Sequence, residues 1–500
     1  MVLSGLSPEK VFYYFEEICG IPHGSGNTRA LSDYIVSFAK DRGFKYTQDE
    51  SNNVIIYKDA SKGCEKAPVV IIQGHIDMVC EQKPGRNINF KEEGLRLKKE
   101  GNIIYAEGTT LGGDDGIAVA YMLAILDSDD IKHPALECVF TSDEEIGLLG
   151  ATALDCSGLK GRIMLNIDSE EEGQLLVSCA GGATVTCSIP VEYETTQFNH
   201  EGFVIKIENA SGGHSGVEIA KQGANSAKLL GRVLFCLGKK HDVRLSGMWS
   251  GGKDNAIPRE ATAYVYADCS YDELKKDIDS LEEILKSEYG HTDSELSISV
   301  VTADEGKTIK FDDTALQAEL HPMTKESSDK AVAALVNFPN GVIKYSQDIE
   351  NLVQTSLNLG IMSTNVIEGQ GEINFSFSVR SSVSTEKYEV IDRLECLSTI
   401  FGGNITVSGE YPAWEYRKES RLRDIMCDCY EKLYNEKPQL LAIHAGLECG
   451  IFAGKLPGLD CVSYGPDIKD IHTSEEKLYI DSVERTWEYT CKVLEALSDM

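Results

Sequence analysis

His75, Asp77, Asp114, Glu145 and Asp168 fall within the first 168 residues of the chain, and imidazole and carboxylate are the donors that suit zinc and its divalent neighbours. The set reads as a metal site and suggests hydrolysis by a metal-activated water. In Gly74-His75-Ile76-Asp77-Met78, His75 and Asp77 stand two apart, so on an extended chain they share a face. Asp77 can then accept the second imidazole N–H and fix the tautomer while the other nitrogen binds metal. An isolated HxD also suits a hydrogen-bonded histidine at a strand end.

Gly108-Thr109-Thr110-Leu111-Gly112-Gly113-Asp114-Asp115-Gly116 leads into an apolar helix. Glycine-rich turns of this kind can cradle phosphate, but two adjacent carboxylates repel it, and a cation is the better guest. The competing reading makes Asp114 a helix cap and Asp115 a partner of the helix dipole. Thr141-Ser142-Asp143-Glu144-Glu145 closes another apolar run; adjacent side chains point apart, so Glu145 can bind metal while Glu144 faces the water. The alternative is a solvated charge run. Asn166-Ile167-Asp168 repeats the theme, with Asp168 otherwise a turn former. Four successive acidic strand ends argue against coincidence.

Strands must hold these groups. Val69-Val70-Ile71-Ile72-Gln73 is a β-branched run that breaks at Gly74, as expected of a buried strand whose carboxyl end opens on a cleft. Strands near 53–57, 69–73, 103–106, 136–141 and 162–167, with helices such as Ile117 to Leu126 between some of them, predict an α/β sheet covered by helices. The same style resumes after about residue 412. Between these blocks, 201–301 reads β-α-β-β-α-β, the order of a ferredoxin-like unit. A second pass follows from helix Lys330–Phe338 to strand Asn404–Gly409, with its first strand poorly marked. The expected organisation is a catalytic domain, 1–186 and 411–500, split by an inserted α+β lid, 187–410, of two ferredoxin-like lobes.

Five hundred residues exceed one ordinary core. Eighty acidic against 48 basic residues give a formal charge of −32, which repels phosphate backbones and anionic lipid. Nucleic acid and membrane are therefore not expected partners. The opening Met1–Leu6 has no basic stretch before an apolar core, and no run reaches the length of a membrane span, so a cytoplasmic location is expected. The 15 cysteines are scattered without a CxxC pair and are expected as small core residues.

The series GHIDM, LGGDDG, SDEEIG and NID, followed by Ile471-His472-Thr473-Ser474-Glu475-Glu476, resembles the di-zinc metallopeptidases that include tripeptidase T and succinyl-diaminopimelate desuccinylase, and within them the dipeptidases acting on Xaa-His substrates. The likeness runs over essentially the whole chain. It implies a zinc-exopeptidase-like catalytic domain with a mixed sheet, holding two divalent ions: zinc, with manganese and cobalt also accepted. His75 and Asp168 would bind one ion, Glu145 and His472 the other, and Asp114 would bridge them, followed by a cis peptide to Asp115. Glu144 would be the general base and Asp77 the orienter of His75. His214 and Asn255, in lid loops, would stabilise the oxyanion. Arg380 would clamp the substrate carboxylate.

His444 and Glu448 are spaced as on one helix face, which suggests extra ligation; the cluster is read instead as a substrate-pocket loop, with His444 in it. His23 is a weaker pocket candidate. Asp168, where carboxypeptidase-like relatives tend to use Glu, fits a dipeptidase or aminopeptidase type of substrate. The expected function is therefore metal-dependent hydrolysis of dipeptides or other short peptides. The alternatives are an N-acyl amino acid deacylase and a non-catalytic metal-binding scaffold. A homodimer that shares lid residues and a single chain that supplies both stay open.

Overall fold

The computed structural model of the chain describes residues 2–194, 200–303, 321–367 and 370–500. The chain folds into two compact units, one of Met1–Cys179, Pro412–Ile443 and Leu447–Met500, the other of Ala180–Tyr411 and His444–Gly446.

In the first unit, Val70–His75 is buried at every position. It lies between Leu136–Thr141 and Ile163–Asn166, parallel to both, with His75 opposite Thr141 and Gln73 opposite Asn166. These strands sit inside an eight-stranded mixed sheet ordered Lys45–Gln48, Val54–Lys58, Leu136–Thr141, Val70–His75, Ile163–Asn166, Asp460–Ser463, Gln174–Cys179, Gln439–Ile443. A strand covered on both faces has no polar side to present, which is why this one reads as a continuous apolar run.

Helix Gly113–Leu126 packs on the same strand, and all its residues except Asp114 are buried. A helix apolar on every side belongs inside a core. Its last carbonyls still need partners, and Lys58 Nζ supplies them, donating to Ile125 O (2.9 Å), Leu126 O (3.0 Å) and Ser128 O (2.6 Å). Gly74 permits the close approach of strand and helix: a Cβ there would stand 2.5 Å from Asp115 Oδ2 and 2.6 Å from Ala118 Cβ. Ile103–Ala106, expected in the alternation of the main sheet, pairs instead in a separate four-stranded sheet with Leu97–Glu100 and Lys477–Tyr479. Its exposure alternates, as suits a strand with one covered face.

The second unit holds a nine-stranded sheet. Ser297–Thr302, Glu201–Glu208, Ala261–Ala267 and Arg244–Ser250 come first, then Val353–Ile367, Gln370–Ser381, Gly181–Val191 and Asn404–Tyr411, with Gly341–Tyr345 beside Val353–Ile367. Each group of four has the strand order of a ferredoxin-like lobe, fourth-first-third-second and its mirror. Ser250 opposite Met362 joins the lobes edge to edge. In the first lobe, Ser270 and Glu273 form a capping box that starts helix Tyr271–Tyr289.

The first strand of the second lobe is Gly181–Val191, which stands before the first lobe in sequence. The first lobe is thus inserted after the opening strand of the second, and the sequential pair of lobes expected from the pattern is corrected. Ala183, Val185, Cys187, Ile189 and Val191 alternate inward along this strand. The expected boundary at 186/187 cuts through it, whereas the compact division falls between Cys179 and Ala180. Among the described residues no helix is long and apolar enough to cross a membrane.

Candidate metal centre

Three adjacent parallel strands end side by side, so their carboxyl-terminal residues leave the sheet together, the position where α/β sheets carry their ligands. Val70–His75 delivers His75 and Asp77, Leu136–Thr141 delivers Glu144 and Glu145, and Ile163–Asn166 delivers Asp168. Helix Gly113–Leu126 brings Asp114, and the hairpin of Ile468–Lys469 and Lys477–Tyr479 brings His472 from far along the chain. All seven residues belong to the first unit.

His75 is buried. Its Nε2 stands 3.1 Å from Asp114 Oδ1 and 3.6 Å from Asp168 Oδ1. The other oxygen of Asp114 faces His472 Nε2 at 3.2 Å, and that nitrogen is 2.9 Å from Glu145 Oε1. Asp114 therefore presents one oxygen to each imidazole. Ligand atoms of His75, Asp114 and Glu145 lie within 4.8 Å of one another, as do those of His75, Asp115 and Asp168, and either group could hold a metal ion. The Asp114–Asp115 peptide is cis, as the resemblance implies. Asp115 turns inward, accepting the His75 backbone N–H at Oδ2 (3.1 Å).

Asp77 meets the His75 ring through both its backbone carbonyl and its carboxylate. His75 Nδ1 is closest to the backbone carbonyl of Asp77, at 3.0 Å, with the Asp77 carboxylate at 3.4 Å. That carboxylate accepts the N–H groups of Glu144 (3.0 Å) and Glu145 (3.3 Å) and the hydroxyl of Ser25 (2.8 Å). One side chain thus ties the His75 strand end to the turn bearing both glutamates.

The electrostatics show what the donor set lacks. Burial opposes the charged form of His75, but Asp114, Asp168 and Asp77 outweigh it and hold its pKa well above 6.5. Hydrogen bonds to Asp114 and Glu145 lift His472 from 6.5 to about 10. Burial, reinforced by neighbouring carboxylates, raises Glu144, Glu145 and Asp168. Asp114 is only partly exposed, and desolvation would raise it, yet its two imidazole partners hold it below the ordinary carboxylate range. So many acids in one place retain protons that divalent cations would displace. Nitrogen and carboxylate donors in this number fit that role.

A pH dependence follows. Groups with raised pKa hold protons when folded that the unfolded chain releases, so metal-free stability falls as pH rises. The His472 contribution is complete below about 6.5 and is lost as pH climbs through about 10. Chelator-treated protein is expected to melt at progressively lower temperature across this range, with a shallower slope in His472→Gln. Calorimetry checks it; a metal-free melting temperature that rises with pH contradicts the assignment.

The second unit carries the remaining candidates. His214 lies in a two-residue strand, Gly213–His214, paired with Ala256–Ile257 beside Asn255. Its Nδ1 accepts the N–H groups of Gly216 and Val217, both at 3.3 Å. The ring proton therefore sits on Nε2, which leaves a neutral donor; burial and the charge of Arg380 lower the pKa and favour this form. Asn255 is exposed, and its backbone carbonyl accepts the Ser215 N–H (2.9 Å). Arg380 is buried, donates Nη1–H to Tyr411 Oη (3.0 Å) and leaves Nε unpaired. His444 meets Ser356 Oγ at 2.7 Å, and its pKa falls to about 3 through burial and the nearby Arg380.

His444 and Glu448 do not share a helix face, because the helix is Glu448–Lys455 and His444 precedes it. Glu448 is instead a buried carboxylate of the first unit, accepting Thr141 Oγ1–H at 2.7 Å and Gln73 Nε2–H at 2.5 Å. His23 is buried in the first unit, Nδ1 against Ile21 O at 2.6 Å. The sequence alone assigns no part to Glu476 or Ser25, and the roles it suggests for Glu448, a ligand beside His444, and for Asp115, a partner of the helix dipole, are not the ones seen. Glu476, as the last residue of the HTSEE run, carries a signal there.

The model of peptidase family M20/M25/M40 matches residues 71–496. The chain is 34% identical to the cytosol non-specific dipeptidase of Escherichia coli (strain K12) over 497 residues, 99% of each chain. Among solved structures, aminoacylhistidine dipeptidase from Vibrio alginolyticus superposes with a TM-score of 0.88 at 34% identity, covering 99% of this chain and 98% of that one. Aminopeptidase PepT from Bacillus cereus shares the fold at 16% identity and a TM-score of 0.59, covering 98% and 99%. With a family model spanning most of its length and a full-length relative above 30% identity, the chain belongs to peptidase family M20/M25/M40.

Proposed function

We propose that the chain is a metal-dependent dipeptidase, of the type that cleaves Xaa-His and related dipeptides, working in the cytoplasm with two divalent ions, zinc foremost and manganese or cobalt as substitutes. The observation that carries the reading is Asp114, whose two oxygens face two imidazoles 3.1 and 3.2 Å away with further carboxylates on either side. His75 and Asp168 would hold one ion, Glu145 and His472 the other, and Asp114 both. The printed names of the relatives in Escherichia coli and Vibrio alginolyticus, both dipeptidases, support the substrate class.

Two such ions, when bound, would supply Lewis acidity that lowers the pKa of a coordinated water and polarises the scissile carbonyl. The chain's residues do the rest. Glu144 takes the proton of the attacking water on its carboxylate and passes it to the departing amine nitrogen. Asp77 keeps the Glu144 turn and the His75 ring in register through the backbone bonds it accepts. The neutral His214, with its proton on Nε2, and Asn255 would donate to the oxygen that becomes negative. Arg380 would receive the substrate carboxylate, its unpaired Nε–H being a donor in need of an acceptor, with His444 beside it.

The test is a substrate panel of dipeptides, Xaa-His among them, and N-acyl amino acids, scored for released amino acids and acids with and without chelator. Chelator-sensitive release of free amino acids from dipeptides is the expected result. Preferential release of acetate or succinate would move the chain to the deacylases. Metal binding without turnover of any substrate would leave only a scaffold.

A further inference from the structure

A glycine-rich loop before a helix turns its backbone N–H groups inward and makes a nest for an anion. Here the anion is the protein's own. Glu476 Oε2 accepts the N–H of Leu111 at 2.6 Å and of Gly112 at 3.1 Å, and Oε1 accepts that of Gly113 at 2.8 Å, with Asp114 N–H at 3.4 Å. Glu476 is buried, 3% exposed. Gly112 has φ +68, a conformation side chains rarely adopt, and a Cβ at Gly113 would stand 3.1 Å from Glu476 Oε1. The glycines thus let the chain wrap a carboxylate.

We propose that Glu476 is a positioning residue for the metal centre: it fixes the backbone that presents Asp114 and ties that backbone to the hairpin bearing His472. The proposal rests on the metal-centre reading above. His472 occupies the hairpin loop, exposed and at φ +59, with Asp114 and Glu145 as the partners of its ring. Glu476 closes that loop, its N–H donating to Thr473 O at 3.2 Å. The segment that supplies one candidate ligand therefore also clamps the loop supplying the shared one, so neither shifts without the other. Outer-shell partners of this kind orient ligands and affect affinity without touching the ion.

Glutamine at 476 keeps the shape but offers one acceptor oxygen, and turns an amide donor toward N–H donors. Glu476→Gln is expected to weaken Mn²⁺ or Zn²⁺ binding, measured by competition with a chromophoric chelator, by roughly 10–100-fold. Glu475→Gln should leave it unchanged, since the Glu475 carboxylate is exposed and pairs with Lys83. In metal-free wild-type protein, the amides of Leu111, Gly112 and Gly113 should exchange slowly with deuterium, a measurement that holds even if the variant fails to fold. A folded Glu476→Gln protein with affinity within about twofold of wild type, or rapid exchange at those three amides, would overturn the proposal. Neither readout involves peptide hydrolysis, so failure of the dipeptidase reading and failure of this one are told apart.

Discussion

Glu144→Gln is expected to lose turnover on dipeptides by about 10²–10⁴-fold, the range a positioned general base contributes, while retaining its metal. The reason is positional. Glu144 is among the acids at the strand ends that neither of the two ligand groups contains, and its backbone N–H is pinned to Asp77 Oδ1 at 3.0 Å. Asp143, just before it, sits at φ 52, so the turn throws successive side chains in different directions. Glutamine keeps the volume and removes the basic oxygen. Burial and neighbouring carboxylates already push the Glu144 pKa up and favour its neutral form, which glutamine mimics, so the metal-free melting temperature should stay equal or rise. Metal content by elemental analysis and kcat on one dipeptide settle the matter. A variant that keeps both metal and turnover removes Glu144 from the mechanism.

The same strand-end logic explains how much of the molecule is legible in its sequence. Val70–Ile72 and Val139–Phe140 announce themselves because a strand buried on both faces is mostly apolar, Gln73 and Glu137 being the buried exceptions, and the acids that follow those runs stand out against them. The lobes are readable where strands alternate and helices carry caps, as at Ser270. Gly181–Val191 escapes although its inward Val185, Ile189 and Val191 suit a strand, because its partners, Gln370–Ser381 and Asn404–Tyr411, lie far downstream across the inserted lobe. Nothing local says that a strand waits across an inserted lobe for its neighbours.

Glu448 and Glu476 are hidden for a related reason. A buried carboxylate is made tolerable by N–H and O–H donors from other elements, and those donors are invisible in one dimension. Burial raises both to about 7, a cost accepted where the acid organises strand ends or a ligand loop. The spacing of His444 and Glu448 misleads in the opposite direction: a four-residue interval implies a shared face only when a helix spans it, and here the helix starts at Glu448.

Asp114→Asn carries the second large effect, because one side chain is asked to serve both halves of the centre. Asparagine preserves the outline but replaces one oxygen with an N–H donor group and removes the charge, so it can satisfy one imidazole and must oppose the other. Metal affinity should fall by more than the roughly 10–100-fold typical of an outer-shell change, and turnover should fall with it. The metal-free protein offers a separate readout. Asp114 is the foremost hydrogen-bond partner lifting His472 to about 10 and also the foremost carboxylate raising His75. In Asp114→Asn both imidazoles should therefore titrate at lower pH than in the wild type, His472 toward 6.5, as followed by the ring proton resonances. If His472 keeps its elevated pKa while metal binding is lost, the two oxygens of Asp114 do not act on two imidazoles at once, and the bridging role falls even though the residue still ligates.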